Sequence, residues 1–176
     1  MIFKETGIND TFIIESEKLS DQRGFFARTY CFKEFSMFGI DFKIVQCSNS
    51  FNKKKGTLRG LHYQCAPYEE AKIVRCTRGG IWDVVVDIRP HSSTYKKWIS
   101  VELSEDNDRA IVIPKGCAHG FQSLTENTMV YYQMNTYYHP ECARGFNYLD
   151  PSFSIKWPIK DITISEKDMK LAFFNS

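Results

Sequence analysis

No run of apolar residues in this sequence approaches the length of a membrane-spanning helix. The first ten residues, MIFKETGIND, hold no basic segment followed by an apolar one, so no secretory leader is expected and a cytoplasmic location is. An excess of one charge is lacking too: 23 Lys and Arg stand against 21 Asp and Glu, a formal net of +2. That balance argues against a general nucleic-acid or membrane-surface binder, and any anion site must be local, built from a few placed cations. Repeats, low-complexity tracts and Pro/Gly/Ser linkers are absent, so residues 1–176 are expected to form one domain. None of the six cysteines (Cys31, Cys47, Cys65, Cys76, Cys117, Cys142) sits in a C-x-x-C pair, which weakens zinc-ribbon and thioredoxin readings. With no leader, free thiols in a reducing cytosol are expected.

Long helical periodicity is also missing. What is present is 43% hydrophobic and 25% charged residues, a soluble globular composition, arranged as many short segments rich in Val, Ile, Phe, Tyr and Thr between turn residues. The pattern predicts strands over 11–15, 24–30, 43–50, 57–64, 71–78, 80–88, 97–103, 109–113, 119–124 and 128–136. Short helices are predicted at 31–38 and 166–173. Gly79-Gly80 reads as a tight hairpin and Asp106-Asn107 as a further turn. So many strands predict an all-β barrel or sandwich, closed to remove sheet edges. Strand alternation then sorts side chains. His62 shares a face with Gly60 and Gln64, while Arg59, Leu61 and Tyr63 take the other. Lys72 goes with Val74 and Cys76, Tyr132 with Val130 and Met134, and Asp83 and Asp87 with Ile81 and Val85. Trp82, Val84, Val86 and Ile88 form an unbroken apolar face.

Three chemistries compete for GTLRGLHYQ at 56–64. The first is a metal site. PKGCAH at 114–119 fits the second motif of cupin barrels, but the His-x-His of metal-binding cupins reads His62-Tyr63-Gln64 here. An amide is a poor ligand for zinc or iron, so no metal is expected. The second is phosphate binding. Arg23, Arg59 and Lys53–Lys55 are cationic and flanked by glycines, and arginine binds phosphate bidentately. The lysine run reads as a solvated loop. Arg59, between apolar strand neighbours, reads as a ligand residue, because a partly buried arginine needs an anion. The third is proton transfer next to a ketone. It needs a base, a cation or donor at the enolate oxygen and, for inversion, an acid on the opposite face. His62 suits the base, Lys72 the cation and Tyr132 the acid. Ser165-Glu166-Lys167-Asp168 reads as a capping box, which accounts for Asp168 without chemistry yet holds it rigid enough to orient a histidine. Asp83 is a rival partner for His62.

At these residues the chain resembles the dTDP-4-dehydrorhamnose 3,5-epimerase family. The resemblance runs through DQRGFFARTY at 21–30, KGTLRGLHYQ at 55–64, AKIVRCTRGGIWDVVVDIR at 71–89, IPKGCAHGF at 113–121, VYYQMNTYY at 130–138, ARGFNYLDPSFSIKWP at 143–158 and SEKD at 165–168. It implies a cupin-type jelly roll with a few short helices, no cofactor, and a nucleotide-diphosphate 4-keto-6-deoxy sugar as substrate. It implies His62 as the base at C3 and C5, Asp168 as its orienting carboxylate, Tyr132 as the acid and Lys72 at the C4 oxygen. Arg23, Arg59 and His119 are implied as pocket residues, Tyr138 as a neighbour of the nucleotide base, and Arg28, Gln46, Asn49 and Lys167 as further substrate-binding positions. A homodimer is implied, with N-terminal strands exchanged so that residues near 23–28 enter the partner's pocket.

Three positions depart from the family pattern. Arg28 stands where glutamate is usual, Gln46-Cys47-Ser48-Asn49 where a Gln-acid-Asn segment is usual, and Ala143 where glutamate is usual. The proton-transfer set is intact. The alternatives are therefore a mono-epimerase at C3 or C5 only, a CDP- or GDP-linked sugar in place of dTDP, and a non-catalytic cupin binding module. A sugar 3,4-ketoisomerase and a metal-dependent cupin enzyme rank lower.

Overall fold

The computed structural model describes residues 1–174. Among these, thirteen strands run β1 (Ile2–Glu5), β2 (Phe12–Glu15), β3 (Lys18–Asp21), β4 (Gly24–Ala27), β5 (Gln46–Asn52), β6 (Leu58–Gln64), β7 (Lys72–Arg78), β8 (Gly80–Asp87), β9 (Trp98–Ser104), β10 (Ala110–Ile113), β11 (Cys117–Ser123), β12 (Thr128–Met134) and β13 (Ala143–Gly145). Helix α1 spans Phe32–Met37 and α2 Glu166–Met169. One sheet has the order β1-β2-β10-β7-β12-β5 and the other β13-β6-β11-β8-β9, while β3 and β4 form a separate hairpin. All strand pairings within the two sheets are antiparallel. This is the expected all-β jelly roll.

Alternation places the core between the sheets. Val74, Cys76, Val130 and Ile111 of the first sheet meet Ile81, Val85, Leu103 and Phe121 of the second, each contributing about 1.5–3 kcal/mol by leaving water. Neither outer face is bare. Ile73, Ala110 and Val112 are covered by Phe35 of α1 and Phe42 beyond it. Val84, Val86 and Ala118 are covered by Phe146 and Phe153 of the C-terminal segment. Strand β8 is thus covered on both faces, with the buried Asp83 and Asp87 set among Ile81 and Val85 on the inner one and the apolar row of Trp82, Val84 and Val86 on the outer.

Three expectations need correction. Gly79-Gly80 does not close a hairpin: β7 pairs with β10 and β12, and β8 with β9 and β11. Gly79 is a corner between sheets, with φ +73 and no room for a Cβ beside Thr125 Oγ1. Strands β1 and β3 escaped the composition pattern because they are short and largely exposed, and β13 because it has only three residues. The last helix stops at Met169, because the Asn147 side chain takes the Met169 and Leu171 carbonyls (3.0 and 3.1 Å) and turns the chain back.

One polar device sits at the β8 terminus. The fully buried Asp87 carboxylate accepts from Arg89 Nε and a terminal guanidinium nitrogen (both 2.9 Å) and from Ser92 and Thr94 hydroxyls (both 2.6 Å). Burial raises its pKa, but these donors outweigh burial and hold it well below the carboxylate range. A depressed pKa stabilises the fold above the unfolded-state value and loses that contribution as pH falls through the folded value. Asp87→Asn is expected to cost about 2–5 kcal/mol at pH 7. Denaturant melts should show the gap from the unmodified protein narrowing below about pH 4, and a gap unchanged at pH 3 would remove the carboxylate charge as its source.

Candidate active site

Two depressions meet at His62 and Lys72. One, of about 260 Å³, is lined by Asn49, Arg59, His62, Lys72, His119, Tyr132 and Asp168. The other, of about 370 Å³, is lined by His62, Glu70, Lys72, Tyr138, Arg144 and Lys167. Together they make one groove between the sheets. A further cavity of about 320 Å³ beside Phe12, Phe38 and Lys115 shares no residue with either and holds none of the proton-transfer set.

The groove has a wall from each sheet. Lys72 and Tyr132 lie on adjacent strands of the first, where Met134 pairs with Lys72 and Tyr132 with Val74, so both side chains point inward with Val74 and Val130. His62 and His119 are direct cross-strand partners in the second. His62 Nε2 lies 2.8 Å from Asp168 Oδ1. Burial pulls the Asp168 carboxyl upward, but the His62 hydrogen bond and charge, the Gly60 N–H and Ser165 outweigh it, so its pKa is lowered. An ionised carboxylate only accepts, so His62 Nε2 carries the proton and Nδ1 keeps a lone pair for a base. The Ser165 hydroxyl accepts from the Asp168 N–H (3.1 Å), as a helix cap should. The Asp168 carboxylate is spent on His62 and Gly60, not on closing the capping box.

Asp83 is not the partner of His62. It is fully buried and binds His119 Nε2 at 2.8 Å through Oδ2. Its register explains this: Asp83 on β8 pairs with Phe121, two residues along β11 from His119, a diagonal within side-chain reach. The His119 ring in turn meets the Tyr132 ring edge-on, with centroids 5.9 Å apart. Among the described residues the Tyr132 hydroxyl has no hydrogen-bond partner. Burial and the Asp83 charge push its pKa up, with Arg59 opposing.

Arg59 shares the groove with His62, against the alternation. The cause is a bulge: Arg59 pairs with Phe121 and His62 with His119, so three steps on β6 match two on β11. The two strands touch there. A Cβ on Gly60 (φ +117) would stand 2.6 Å from Gly120 Cα. Arg59 donates to Asn52 Oδ1 (2.8 Å) and the Phe51 carbonyl (3.3 Å), and among the described residues it has no carboxylate partner, which leaves its charge for a ligand.

Other predicted residues are scattered. Tyr138 and Lys167 line the groove, and Asn49 does so from β5. Gln46 supports it indirectly by accepting from the Tyr138 N–H (3.1 Å). Arg23 lies in the β3–β4 turn against Asp21 (2.5 Å), and Arg28 pairs with Glu34 (2.8 Å). Neither reaches the groove within one chain. Gln64, at the would-be metal position, is used up: it donates to the Tyr68 and Tyr137 carbonyls and accepts from the His139 N–H. No group of three His, Cys, Asp or Glu among the described residues could hold a metal ion. Sequence reasoning missed Glu70 and Arg144. The signal for Glu70 was its i, i+2 spacing from Lys72. Gly60→Ala is expected to cost about 2–4 kcal/mol, strain plus overlap with Gly120. Gly24→Ala has similar φ (+128) and open space, so strain alone applies there, about 1 kcal/mol. Urea melts giving equal losses would remove the strand contact as the constraint.

The sequence profile of the family described as dTDP-4-dehydrorhamnose 3,5-epimerase matches residues 5–176. A dTDP-4-dehydrorhamnose 3,5-epimerase of Sinorhizobium fredii is 40% identical over 169 residues, 96% of this chain and 87% of that protein. The solved dTDP-4-dehydrorhamnose 3,5-epimerase of Bacillus anthracis, with TDP and PPi bound, superposes with TM-score 0.95 at 36% identity, covering 98% of this chain and 99% of that one. The dTDP-6-deoxy-D-glucose-3,5-epimerase of Legionella pneumophila, in complex with dTDP-4-keto-L-rhamnose, gives TM-score 0.92 at 38% identity, covering 98% and 92%. A likeness of this extent, around a groove carrying a histidine–carboxylate pair, a lysine and a tyrosine, makes the chain a member of the dTDP-4-dehydrorhamnose 3,5-epimerase family.

Proposed function

We propose that this chain, as one domain over residues 1–176, converts dTDP-4-dehydro-6-deoxy-D-glucose to dTDP-4-dehydro-L-rhamnose. The observation that carries the reading is the hydrogen-bonded His62–Asp168 pair on one wall with Lys72 and Tyr132 on the other. C3 and C5 both flank the C4 ketone, so the same carbonyl acidifies both protons. His62 Nδ1 takes the proton, and Asp168 stabilises the imidazolium that forms. Lys72 meets the charge developing on the C4 oxygen, which lowers the barrier where charge appears. Tyr132 returns a proton from the opposite sheet and so inverts the centre. Its raised pKa keeps the phenol protonated through neutral pH, the state an acid needs. One base serves both carbons if the ring shifts between steps. Arg59 and Lys167 supply cations for the diphosphate, and Tyr138, which is exposed, offers a ring for the base.

A second copy completes the surface. The β3–β4 hairpin exposes Leu19, Phe25 and Phe26 at 72%, 54% and 74%, apolar area that a homodimer covers. The same hairpin carries Arg23, and Arg28 follows it, so exchange would bring both to the partner's groove. The six free thiols suit the reducing cytoplasm, where the product feeds rhamnose-containing polysaccharide. Burial pushes Cys76 and Cys117 up to about 11 and about 12, which makes them inert.

The reaction is tested in deuterium oxide with dTDP-4-keto-6-deoxyglucose, read by mass spectrometry and proton NMR. Deuterium is expected at both C3 and C5. His62→Ala should lower exchange at both by at least about 10²-fold. Label at one carbon would mean a mono-epimerase. Label only with CDP- or GDP-linked sugar would move the nucleotide. No label with any of them would leave a binding module.

A further inference from the structure

We propose that Glu70 is a positioning residue for this reaction: its carboxylate holds the Lys72 ammonium on the groove wall, so the lysine meets the C4 oxygen as a cation already in place. Lys72 Nζ lies 2.9 Å from Glu70 Oε1, with the two side chains only 11% and 13% exposed. Both line the groove with His62. The pair differs from a surface ion pair, in which two mobile chains gain little by meeting. Here the backbone fixes where the carboxylate stands. The Ala71 N–H donates to Asn135 Oδ1 (2.7 Å), the Ala71 carbonyl accepts from the Asn135 N–H (3.3 Å), and the Glu69 carbonyl accepts from Thr136 Oγ1 (3.2 Å). These bonds tie Glu69 and Ala71 to Asn135 and Thr136, just past the last β7–β12 ladder pair, Lys72 and Met134. Glu70 lies two residues before Lys72, the first residue of β7, and the 2.9 Å ion pair shows that the two side chains converge.

The charge pattern around the pair gives Glu70 its task. The other ionisable groups facing this half of the groove are His62 on β6, Arg144 on β13, Lys167 on α2 and the tyrosines Tyr63 and Tyr138. Glu70 is the one carboxylate among the described residues lining it. Without Glu70, Lys72 stands on a flexible four-carbon stem beside Arg144 and Lys167, and the Asp168 carboxylate of the adjoining depression is engaged by His62. With Glu70, one ammonium donor is anchored and two remain for substrate.

The proposal rests on the epimerase reading, so its test has one readout that needs no substrate. Lys72 is trace-acetylated with acetic anhydride at fixed pH in the full chain, with Lys167 as internal reference, and peptides are quantified by mass spectrometry. In Glu70→Gln, which keeps the size and an acceptor, Lys72 labelling relative to Lys167 should rise at least about three-fold as the counter-charge is lost. Its kcat for the dTDP sugar should fall at least about ten-fold, with KM within about three-fold. Glu70→Asp should recover part of the kcat and of the protection, and it carries the same readings if the glutamine variant does not fold. Unchanged labelling overturns the proposal, and so does an unchanged kcat. A KM rise matching the kcat loss overturns it too, as that marks a disturbed pocket. Absence of exchange in the unmodified protein is seen separately: it overturns the epimerase reading, and with it any role for Glu70 in that chemistry, while labelling still reports whether Glu70 holds Lys72.

Discussion

A single hydrogen bond, His62 Nε2 to Asp168 Oδ1 at 2.8 Å, ties the middle of the second sheet to the last helix, and much of the chain serves to keep it. Its two residues are 106 positions apart, so the bond exists only if the tail is laid down accurately. The tail does this in steps. Phe146 and Phe153 cover the outer face of β8, and the Phe153 carbonyl takes Trp98 Nε1 (2.8 Å). The Gln122 amide clamps Ile159 from both sides, through its carbonyl and its N–H (2.8 and 3.0 Å). The Thr163 carbonyl takes the Leu58 N–H (2.8 Å) just before β6 enters the site. By Ser165 little freedom remains, and a four-residue helix is enough to present Asp168. So short a helix is not stable alone; packing on both sides makes it.

The same economy explains which residues were legible in the sequence. Period-two alternation reports orientation faithfully where the ladder is regular. It put Lys72 with Val74, Tyr132 with Val130 and Asp83 with Val85, and all of them face inward. It failed at Arg59, because a bulge shifts parity by one residue and nothing in LRGLH announces a bulge except a glycine that has other uses. Turn chemistry failed at Gly79-Gly80, because two glycines mark a sharp turn without saying whether the chain stays in its sheet. Asp83 and Asp168 could not be assigned to their histidines from spacing, since the first pairing depends on β8–β11 register and the second on where the tail lays α2. Glu70 left only a weak signal, an acid two residues before an inward lysine, because it precedes β7 and strand alternation does not reach it.

The site also shows how burial and pairing divide the work among similar groups. Two histidines face each other across β6 and β11, each held by a carboxylate at 2.8 Å. They differ in access. The His119 side chain is 5% exposed and its Asp83 fully buried, whereas the His62 side chain is 44% exposed. A proton acceptor must reach substrate, so access alone nominates His62. Buried His119, edge-on to Tyr132, is suited to fixing the ring of the proposed acid.

On the proposed mechanism, that division bears on how one groove inverts two centres. A second base would need its own carboxylate and its own desolvation, and the described residues facing the substrate space offer none with His62's exposure. Moving the sugar costs less than building a second dyad, provided the C4 oxygen stays put while the ring turns about it. The cation at that oxygen must then be the fixed point. An ammonium held by a carboxylate whose chain neighbours, Glu69 and Ala71, are pinned by three hydrogen bonds meets that requirement. A free lysine would follow the moving ring and let the second proton swing out of reach of His62.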